Sequence, residues 1–573
     1  MAAAFQVRGS NAAALFTLKI HRGEGMALLA TNWRRGPPPP DFVGFAIEYR
    51  RPGAQRFVAL RNRLGFPGAD GSVSFEQLST KLSPIQYFRW IHFPFNAELP
   101  GEFTYRVTPV FMDARDKLSE GAVQEAALEL RRETYPGRLN LGFTRGFVSS
   151  QAFVDRWAVD GRVDTLLPPR ADQGLDFVPT HAKAMQALDW MGFEARRLIL
   201  ALLDDALADT TAQVRMVAYD LNAPEIVRRL LALSTRLQLI VDDDGAHGQP
   251  GSGETRAAAR LAAAGAQVKR QHLGALQHNK FIVVDGSKVK QVLCGSTNFS
   301  WRGLYVQANN ALLLTGRQPV RVFGAAFEAY WASDSVADFA AGASAQWQPL
   351  GLADIDAQVS FSPRSAGNAA LAGIAQDIRN TRSSLFYSLA FLAQTPGLVR
   401  DAIGEVTRDG SRFVHGMADR ELGGILLATP DGNLAPVSPA ALVGKVPPPF
   451  KAELIGGSGV RLHHKFVVID FDKPQARVYI GSYNFSEAAD RSNGENLLLL
   501  RNRRVAVACM VEALRLFDHY RFRIKQAAAP RSTRAAGAGL TLRKPPRQPG
   551  ETAWWAKHYS DVHRIRDRLL FSA

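Results

Sequence analysis

Two copies of one group of side chains recur along the chain, and their residue types suit phosphate chemistry. The copies are His278, Lys280 and Asp285 in the first and, 185 residues further on in each case, His463, Lys465 and Asp470 in the second. A Gly-Ser-x-Asn-Phe-Ser stretch follows each copy, at residues 295–300 and 481–486. A match of this length at a nearly constant offset indicates an internal duplication.

Histidine and lysine together can cleave a phosphodiester without a metal. Imidazole titrates near neutrality, so it can act as a nucleophile, an acid or a base. An ammonium group binds the non-bridging oxygens, where negative charge must be held in the transition state. Because side chains alternate along a strand, His278 and Lys280 share one face, as do His463 and Lys465. The three aspartates at residues 242–244 predict a turn after a strand, and we expect neither a metal nor another cofactor.

The elements around the motifs alternate between helix and strand from about residue 140. An amphipathic helix is predicted over residues 182–207, and apolar runs at 281–284 and 466–469 predict buried strands with helices on both faces. Tyr219 and Tyr387 are the expected equivalents in the two halves. The motif histidine follows the first tyrosine by 59 residues and the second by 76, so the second half carries 17 more residues, within residues 421–450.

The ends of the chain have a different character. Alternating apolar and polar positions with Gly- and Pro-rich turns, as at residues 42–50, predict an antiparallel β-sandwich of the immunoglobulin or fibronectin type, followed by a helix over residues 119–134. Residues 551–570 predict a helix that Trp554 and Trp555 dock onto the body of the protein. The fold class expected is α/β, in four segments: a sandwich at 1–135, two α/β/α halves at 136–345 and 346–525, and a basic linker with the docked helix at 526–573.

The two motifs resemble the signature of the phospholipase D superfamily, HxKxxxxD followed by GSxN, and the resemblance covers roughly residues 140–525. It implies two domains related by a pseudo-twofold axis, whose motifs form a single composite site in a monomer. Two motifs in one chain are similar to the bacterial phospholipase D and phosphatidyltransferase type.

The resemblance also implies a role for each motif residue. One histidine forms a covalent phosphohistidine, and the other acts as general acid and base. The residues that would bind the phosphate oxygens are Lys280, Lys465, Asn298 and Asn484. The residues that would support them are Ser296, Ser482, Asp285 and Asp470.

In this family an acidic residue downstream of each histidine orients its ring, and here the two halves differ. Glu495 lies 32 residues after His463, whereas the equivalent position of the first half is Asn309. An amide accepts the same hydrogen bond but cannot stabilise an imidazolium. The sequence therefore predicts His463 with Glu495 as the general acid and base, and His278 with Asn309 as the nucleophile. The tyrosyl-DNA phosphodiesterase branch shows a similar amide and acid asymmetry.

The composition indicates anionic partners but does not distinguish between lipid and nucleic acid. A net charge of +16 favours anionic partners, either phospholipid headgroups or nucleic acid. No apolar run approaches the roughly 20 residues of a membrane span, and no signal peptide is read. Two cysteines make no disulfide framework. We expect a cytoplasmic protein with peripheral contact to a membrane surface.

Three hypotheses about function follow from these observations. The leading one is hydrolysis or transfer of phospholipid headgroups through a metal-independent phosphohistidine. The alternatives are a nuclease or DNA-end phosphodiesterase, and a binding or scaffold protein with an inactive site.

Overall fold

Residues Glu133–Ala506 form one unit of the fold, and the two ends of the chain, Met1–Arg132 and Val507–Ala573, form another. The computed structural model describes the chain apart from residues 1–3, 63, 69, 71–77, 95, 131–132, 146–156, 158–164, 420–424, 429–433, 438–461 and 529–540. Residues 507–525, predicted to belong to the second α/β/α half, group instead with the N-terminal residues.

Alternating side chains build two antiparallel sheets in the N-terminal residues. The strands are β1 (Gln6–Arg8), β2 (Phe16–Gly23), β3 (Met26–Trp33), β4 (Phe42–Arg50), β5 (Val58–Ala59), β6 (Arg89–His92), β7 (Glu102–Met112), β8 (Leu118–Glu120) and β9 (Gln124–Glu129). One sheet has the order β1-β2-β3-β6 and the other β5-β4-β7-β8, with β9 also paired to β7. Phe16 and Ile20 from the first sheet and Phe45 and Phe103 from the second share one buried core. The prediction of an antiparallel β-sandwich is confirmed.

The helix predicted over residues 119–134 is wrong, because β8 and β9 occupy much of this range. The burial of β9 alternates strictly from one residue to the next. This two-residue period is that of a strand with one covered face, and a helix would bury every third or fourth residue. The alanines of Gln124–Glu129 favour a helix by propensity, but pairing with β7 decides the structure.

The first motif lies in a mixed seven-stranded sheet of the central unit. Its strands are β10 (Leu139–Phe143), β11 (Gln213–Ala218), β12 (Leu237–Val241), β13 (Gln267–Arg270), β14 (Phe281–Asp285), β15 (Lys290–Gly295) and β16 (Asn310–Thr315). Its helices are α1 (Ala184–Ala208), α2 (Pro224–Leu233), α3 (Gly253–Ala263), α4 (Arg317–Ala332) and α5 (Val336–Ala341). The strand order is β10-β16-β15-β14-β11-β12-β13, with β11, β12 and β13 parallel.

The second motif lies in a nine-stranded sheet with the same central order. Its strands are β17 (Gln348–Pro349), β18 (Asp356–Ser362), β19 (Ser384–Leu389), β20 (Phe413–Asp419), β21 (Ile425–Ala428), β22 (Leu434–Val437), β23 (Lys465–Ile469), β24 (Arg477–Gly481) and β25 (Glu495–Arg501). Its helices are α6 (Leu371–Arg379), α7 (Leu398–Asp409) and α8 (Glu487–Arg491). The order is β17-β18-β25-β24-β23-β19-β20-β21-β22. Thus β14 lies between its hairpin partner β15 and β11, and β23 lies between its hairpin partner β24 and β19.

The two halves differ in the elements that follow β12 and β20. In the first half, α3 leads to the parallel strand β13. In the second half, β20 is followed by the antiparallel hairpin of β21 and β22. This hairpin falls within the segment predicted to hold the extra residues, most of which lies outside the described residues.

The chain ends in α9 (Arg503–Ala528), α10 (Lys557–Ser560) and α11 (Val562–Ser572). Trp554 is buried in the core of the sandwich, and its indole nitrogen donates a hydrogen bond of 3.0 Å to the Phe42 carbonyl. A buried indole N–H needs such an acceptor. The predicted docking of this segment through Trp554 is confirmed.

Candidate active site

The two motif histidines converge on one place in the central unit. His278 lies just before β14, and His463 lies just before β23. Their ring centroids are 6.2 Å apart with an angle of 72° between the planes. Each histidine is only 4% exposed. Two imidazoles at this separation can act on opposite sides of one phosphorus atom.

Each histidine is oriented by a residue of the other half. Both carboxylate oxygens of Glu495 lie 2.9 Å from His278 Nδ1, and Asn309 Oδ1 lies 2.7 Å from His463 Nδ1. The predicted pairs, His463 with Glu495 and His278 with Asn309, are therefore wrong.

Backbone contacts between the halves explain the exchange of partners. The His463 amide donates to the Ala308 carbonyl at 2.9 Å, and the Gly494 amide donates to the Leu276 carbonyl at 2.8 Å. Asn309, just before β16, and Glu495, at the start of β25, are thereby brought against the opposite motif. Spacing along one half cannot reveal this, because it does not say which ring a side chain reaches.

The hydrogen bonds around Asn309 define the tautomer of His463. Its amide nitrogen donates to the Gly303 carbonyl at 2.9 Å, and Ser296 Oγ donates to its amide oxygen at 3.0 Å. The oxygen therefore faces His463 Nδ1, which must carry the hydrogen. Ser482 Oγ likewise donates to Glu495 at 2.7 Å. In both rings Nε2 is left for chemistry.

The glycine before each of these serines is required by the close approach of another strand. Gly295 and Gly481 have φ angles of 143° and 156°. A Cβ at Gly295 would lie 2.4 Å from the Asn310 carbonyl oxygen, and one at Gly481 would lie 2.3 Å from that of Asn496. Only glycine fits both the conformation and the space.

The two lysines are buried, and burial dominates their titration. Lys465 Nζ lies 3.1 Å from His463 Nε2, and Lys280 Nζ lies 4.6 Å from the centre of the Tyr219 ring. Burial lowers the pKa of Lys280 to about 7 against the attraction of Glu495, and it lowers the pKa of Lys465 well below the usual range. An anion that entered the site would restore both charges.

Burial shifts the pKa values of the two histidines and of Glu495 in opposite directions. Burial and the neighbouring lysines hold the pKa values of His278 and His463 well below the usual range. Burial raises the pKa of Glu495 to about 7, although Lys280 opposes the shift. Clustered shifts of this size are typical of reacting groups.

Two asparagines of the motifs offer amides to a ligand. The side-chain oxygens of Asn298 and Asn484 are buried and have no hydrogen-bond partner among the described residues. Buried amides without a partner are costly and rare in folded proteins. These oxygens accept hydrogen bonds, so a hydroxyl or other donor of the substrate would satisfy them, whereas a phosphate oxygen would be bound by the amide nitrogens.

The motif aspartates lie at the far ends of their strands from the histidines. Asp470 accepts hydrogen bonds from the backbone amides of Arg382, Ser383 and Ser384, the loop that enters β19. Asp285 forms an ion pair of 2.6 Å with Lys290 across the hairpin of β14 and β15.

A polar cluster that the sequence analysis missed lies beside His278. Asp242 Oδ1 accepts the backbone amide of Gln277 at 2.7 Å, and Asp242 Oδ2 lies 2.7 Å from His247 Nδ1. His247 Nε2 lies 3.2 Å from Asp220. Burial alone would lower the pKa of His247, but the two carboxylates raise it to about 10. Asp242 therefore links a half-buried cation to the residue that precedes the motif.

The same cluster could hold a cation. Ligand atoms of Asp220, His247 and Glu254 all lie within 4.8 Å of one another, and in the part of the chain that the structure describes this is the one such group. None of the aspartates at 242–244 belongs to this group, so their run in the sequence gave no signal for it. The predicted turn is present, because the Asp244 amide donates to Asp242 at 3.2 Å.

Strand register corrects the expected equivalence of Tyr219 and Tyr387. Val217 pairs with Phe281, and Ser388 pairs with Phe466. Phe281 and Phe466 hold the same motif position, so Val217 and Ser388 are equivalent. Two residues later, the equivalent of Tyr219 is Ala390. Asp220 then corresponds to Phe391.

Comparison with known proteins agrees with this geometry. A family model described as "Cardiolipin synthase, PLD-like domain" matches residues 203–331 and 450–517, which contain both motifs. The match confirms the resemblance to the phospholipase D superfamily that the motifs indicate. No curated protein matches the chain.

Several solved structures are similar in part. Phosphatidylserine synthase from Haemophilus influenzae is 14% identical, with 59% of this chain and 85% of that chain covered and a TM-score of 0.39. The phospholipase D family member Nuc from Salmonella typhimurium is 25% identical, with 24% and 87% covered and a TM-score of 0.21. Polyphosphate kinase from Porphyromonas gingivalis is 10% identical, with 56% of this chain covered and a TM-score of 0.37; the match spans 45% of that kinase.

The described residues contain no helix that could span a membrane. Each helix there is too short or too polar to cross a bilayer.

Proposed function

We propose that the chain is a phosphodiesterase that works through a covalent phosphohistidine on His278. The observation that carries the proposal is the pair of buried imidazoles, 6.2 Å apart, each with Nδ1 held by an acceptor from the opposite half. A phosphodiester between them would be in line with both Nε2 atoms. Lys280, Lys465, Asn298 and Asn484 would bind its non-bridging oxygens.

The unlike partners of the histidines support the division of labour. When Nε2 of a neutral imidazole bonds to phosphorus, the ring becomes cationic while Nδ1 keeps its hydrogen. Glu495 behind His278 would stabilise that cation, and the neutral amide of Asn309 behind His463 would not. His463 is then the ring that releases its proton more readily. The sequence analysis reached the same nucleophile from the wrong pairing.

The reaction balances in two steps. His463 must enter the first step as the imidazolium, with a proton on Nε2 as well as on Nδ1, a form that the bound anion favours. His278 Nε2 attacks phosphorus, the bond to the leaving oxygen breaks, and His463 gives that oxygen its Nε2 proton. Water or an alcohol then attacks phosphorus, His463 Nε2 takes the proton from the attacking oxygen, and the phosphorus–nitrogen bond breaks. The proton that His463 gives in the first step is thus returned to it in the second.

Two substrate classes are candidates for this chemistry. The match to a family model named for cardiolipin synthase supports phospholipid headgroups, to be hydrolysed or transferred to an alcohol. The net charge of +16 and the pairing of one histidine with an amide support nucleic acid. In either case the site lies in the central unit, and a peripheral contact with a bilayer or a strand would bring the substrate to it.

Trapping of the intermediate tests the mechanism. With a radiolabelled phosphodiester, His463→Ala should accumulate acid-labile label on His278, because hydrolysis of the intermediate lacks its base. His278→Ala should accumulate none, and His272→Ala, a half-exposed histidine paired with Asp243, should behave like the wild type. Label on His463 in the His278→Ala variant would reverse the assignment. If no variant acquires label, the phosphohistidine mechanism is contradicted and the hypothesis of a binding protein with an inactive site is favoured.

Paired substrates test the class. Anionic phospholipid vesicles and single-stranded DNA would be compared with and without EDTA. Headgroup release alone supports a lipid substrate, and cleavage of DNA alone supports the alternative. Activity that EDTA abolishes would contradict metal independence and direct attention to Asp220, His247 and Glu254.

A further inference from the structure

Phe391 adopts a backbone conformation that bulky residues rarely take. It lies two residues after β19, with φ 64° and ψ 1°. Left-handed backbone at a phenylalanine is sterically disfavoured, so the surroundings must hold it. The Gln394 amide and the Thr395 hydroxyl donate to the Phe391 carbonyl at 2.8 and 3.1 Å, and the Ala390 amide donates to the His464 carbonyl at 3.0 Å.

This conformation places the Phe391 ring beside the general acid rather than in the core. The ring centroid is 6.4 Å from that of His463, and the planes meet at 87°. Leu389 and Leu392 on either side are buried in the core of the second half, whereas Phe391 is partly exposed. Strain that keeps an apolar ring out of the core and next to a reacting group is a sign of function.

The two sides of the site carry their aromatic rings at different positions. The Tyr219 ring, whose centroid is 4.7 Å from that of His278, lies one residue before the position equivalent to Phe391. By strand register, the residue equivalent to Phe391 in the first half is Asp220. Asp220 contacts His247 and Ser300, so the surroundings of His278 at this position are charged. The two sides of the bound phosphodiester therefore meet different chemistry.

We propose that Phe391 forms one wall of a leaving-group subsite that selects an alcohol with a flat, unsaturated ring. The inference rests on the proposed function, since the proton that His463 gives to the leaving oxygen requires the leaving group to lie on its side of the phosphorus. A flat ring can stack on Phe391 or meet it edge to face, and a saturated ring of equal size cannot. Nucleoside or aryl alcohols fit this subsite better than glycerol, serine or ethanolamine, so it favours the second substrate class.

Binding of two phosphonates tests the subsite without any turnover. Benzylphosphonate and cyclohexylmethylphosphonate carry the same anion and rings of similar size, one flat and one saturated. Calorimetry with the wild-type chain should give a dissociation constant roughly two- to tenfold lower for the benzyl compound. Phe391→Leu should bring the ratio close to one, and Phe391→Tyr should retain it. Thermal unfolding of each variant checks that the fold is intact.

Each outcome of the phosphonate experiment either supports or overturns the subsite. Equal affinity of the wild type for both phosphonates, or a ratio that persists in Phe391→Leu, overturns the subsite even if phosphodiesters are cleaved. If Phe391→Leu does not fold, the wild-type ratio and Phe391→Tyr still decide. If neither phosphonate binds and no phosphodiester is cleaved, the proposed function fails first.

Discussion

Glu495 and Asn309 occupy equivalent positions, yet in the proposed mechanism they would give the two histidines opposite tasks. A carboxylate stabilises a ring that gains positive charge, and an amide merely fixes its orientation. The difference matters because both rings are 4% exposed, and in buried surroundings an unbalanced charge is costly. At the scale of single residues, the site is therefore polarised along the line from His278 to His463.

The titration of Lys280 predicts how activity depends on pH. Its pKa is lowered to about 7, so the free protein loses this positive charge as the pH rises through that value. The kcat/KM for an anionic diester should then fall above about pH 7. Lys280→Arg keeps its charge throughout this range, so the alkaline fall should move to higher pH, whatever happens to the maximum rate.

A pH profile of kcat/KM for both proteins makes the comparison. Lys544→Arg is the matched control, because Lys544 is a surface residue paired with Asp116, and its profile should follow the wild type. An alkaline limb that is unchanged in Lys280→Arg would show that another group sets it.

The site residues themselves were predictable from sequence, and their mutual contacts were not. His278, Lys280 and their counterparts stand at spacings that strand alternation converts directly into a shared face. Which half supplies the partner of His278 depends on backbone contacts such as that of Gly494 with Leu276. That contact links residues more than two hundred positions apart, and no local pattern encodes it.

At the scale of elements, the loop that carries the second Gly-Ser-x-Asn stretch is tied down by one buried ion pair. Asp490 of α8 accepts from Arg364 at 2.8 Å, from the Tyr483 hydroxyl at 2.9 Å and from the Ala370 amide at 3.2 Å. Neither charged side chain of the pair is exposed. Asp490 thus joins the start of α6 to the residue between Ser482 and Asn484.

Removal of this carboxylate should destabilise the central unit strongly. Asp490→Ala leaves the Arg364 guanidinium buried without its counter-charge, and we expect a loss of about 3–5 kcal/mol in the free energy of unfolding. Asp356→Ala is the control, because its pair with Arg501 is exposed and should cost less than about 1 kcal/mol. Urea unfolding followed by circular dichroism measures both. Similar small losses would mean that the buried pair is dispensable.

Helices and strands could be predicted where the hydrophobic periodicity was strong or where both faces of a strand were buried. The strands that carry the motifs and the helix α1 appear where apolar runs and amphipathic spacing place them. The hairpin of β21 and β22 could not be foreseen, because the first half builds α3 and β13 at the same stage. A duplication allows one half to predict only the elements that both halves share. The structure of an insertion depends on its own sequence.

At the scale of the whole molecule, the net charge of +16 should control encounter with substrates according to their charge. Salt screens such attraction, with a Debye length of about 10 Å at 0.1 M. A polyanion engages several basic side chains at once and releases counterions, whereas a small diester carries a single charge. The two substrates should therefore respond to salt very differently.

Salt dependence consequently separates a strand-binding enzyme from one that recognises only the scissile phosphate. For an oligonucleotide that makes about three phosphate contacts, kcat/KM should fall roughly twentyfold between about 50 and 200 mM salt. The matched substrate has the same bases but methylphosphonates at every position except one phosphodiester, and its kcat/KM should change far less. Equal salt dependence of the two would show that the positive charge of the protein does not contact the strand. In that case the anionic surface of a bilayer becomes the partner to test next, with vesicles of increasing anionic lipid content over the same range of salt.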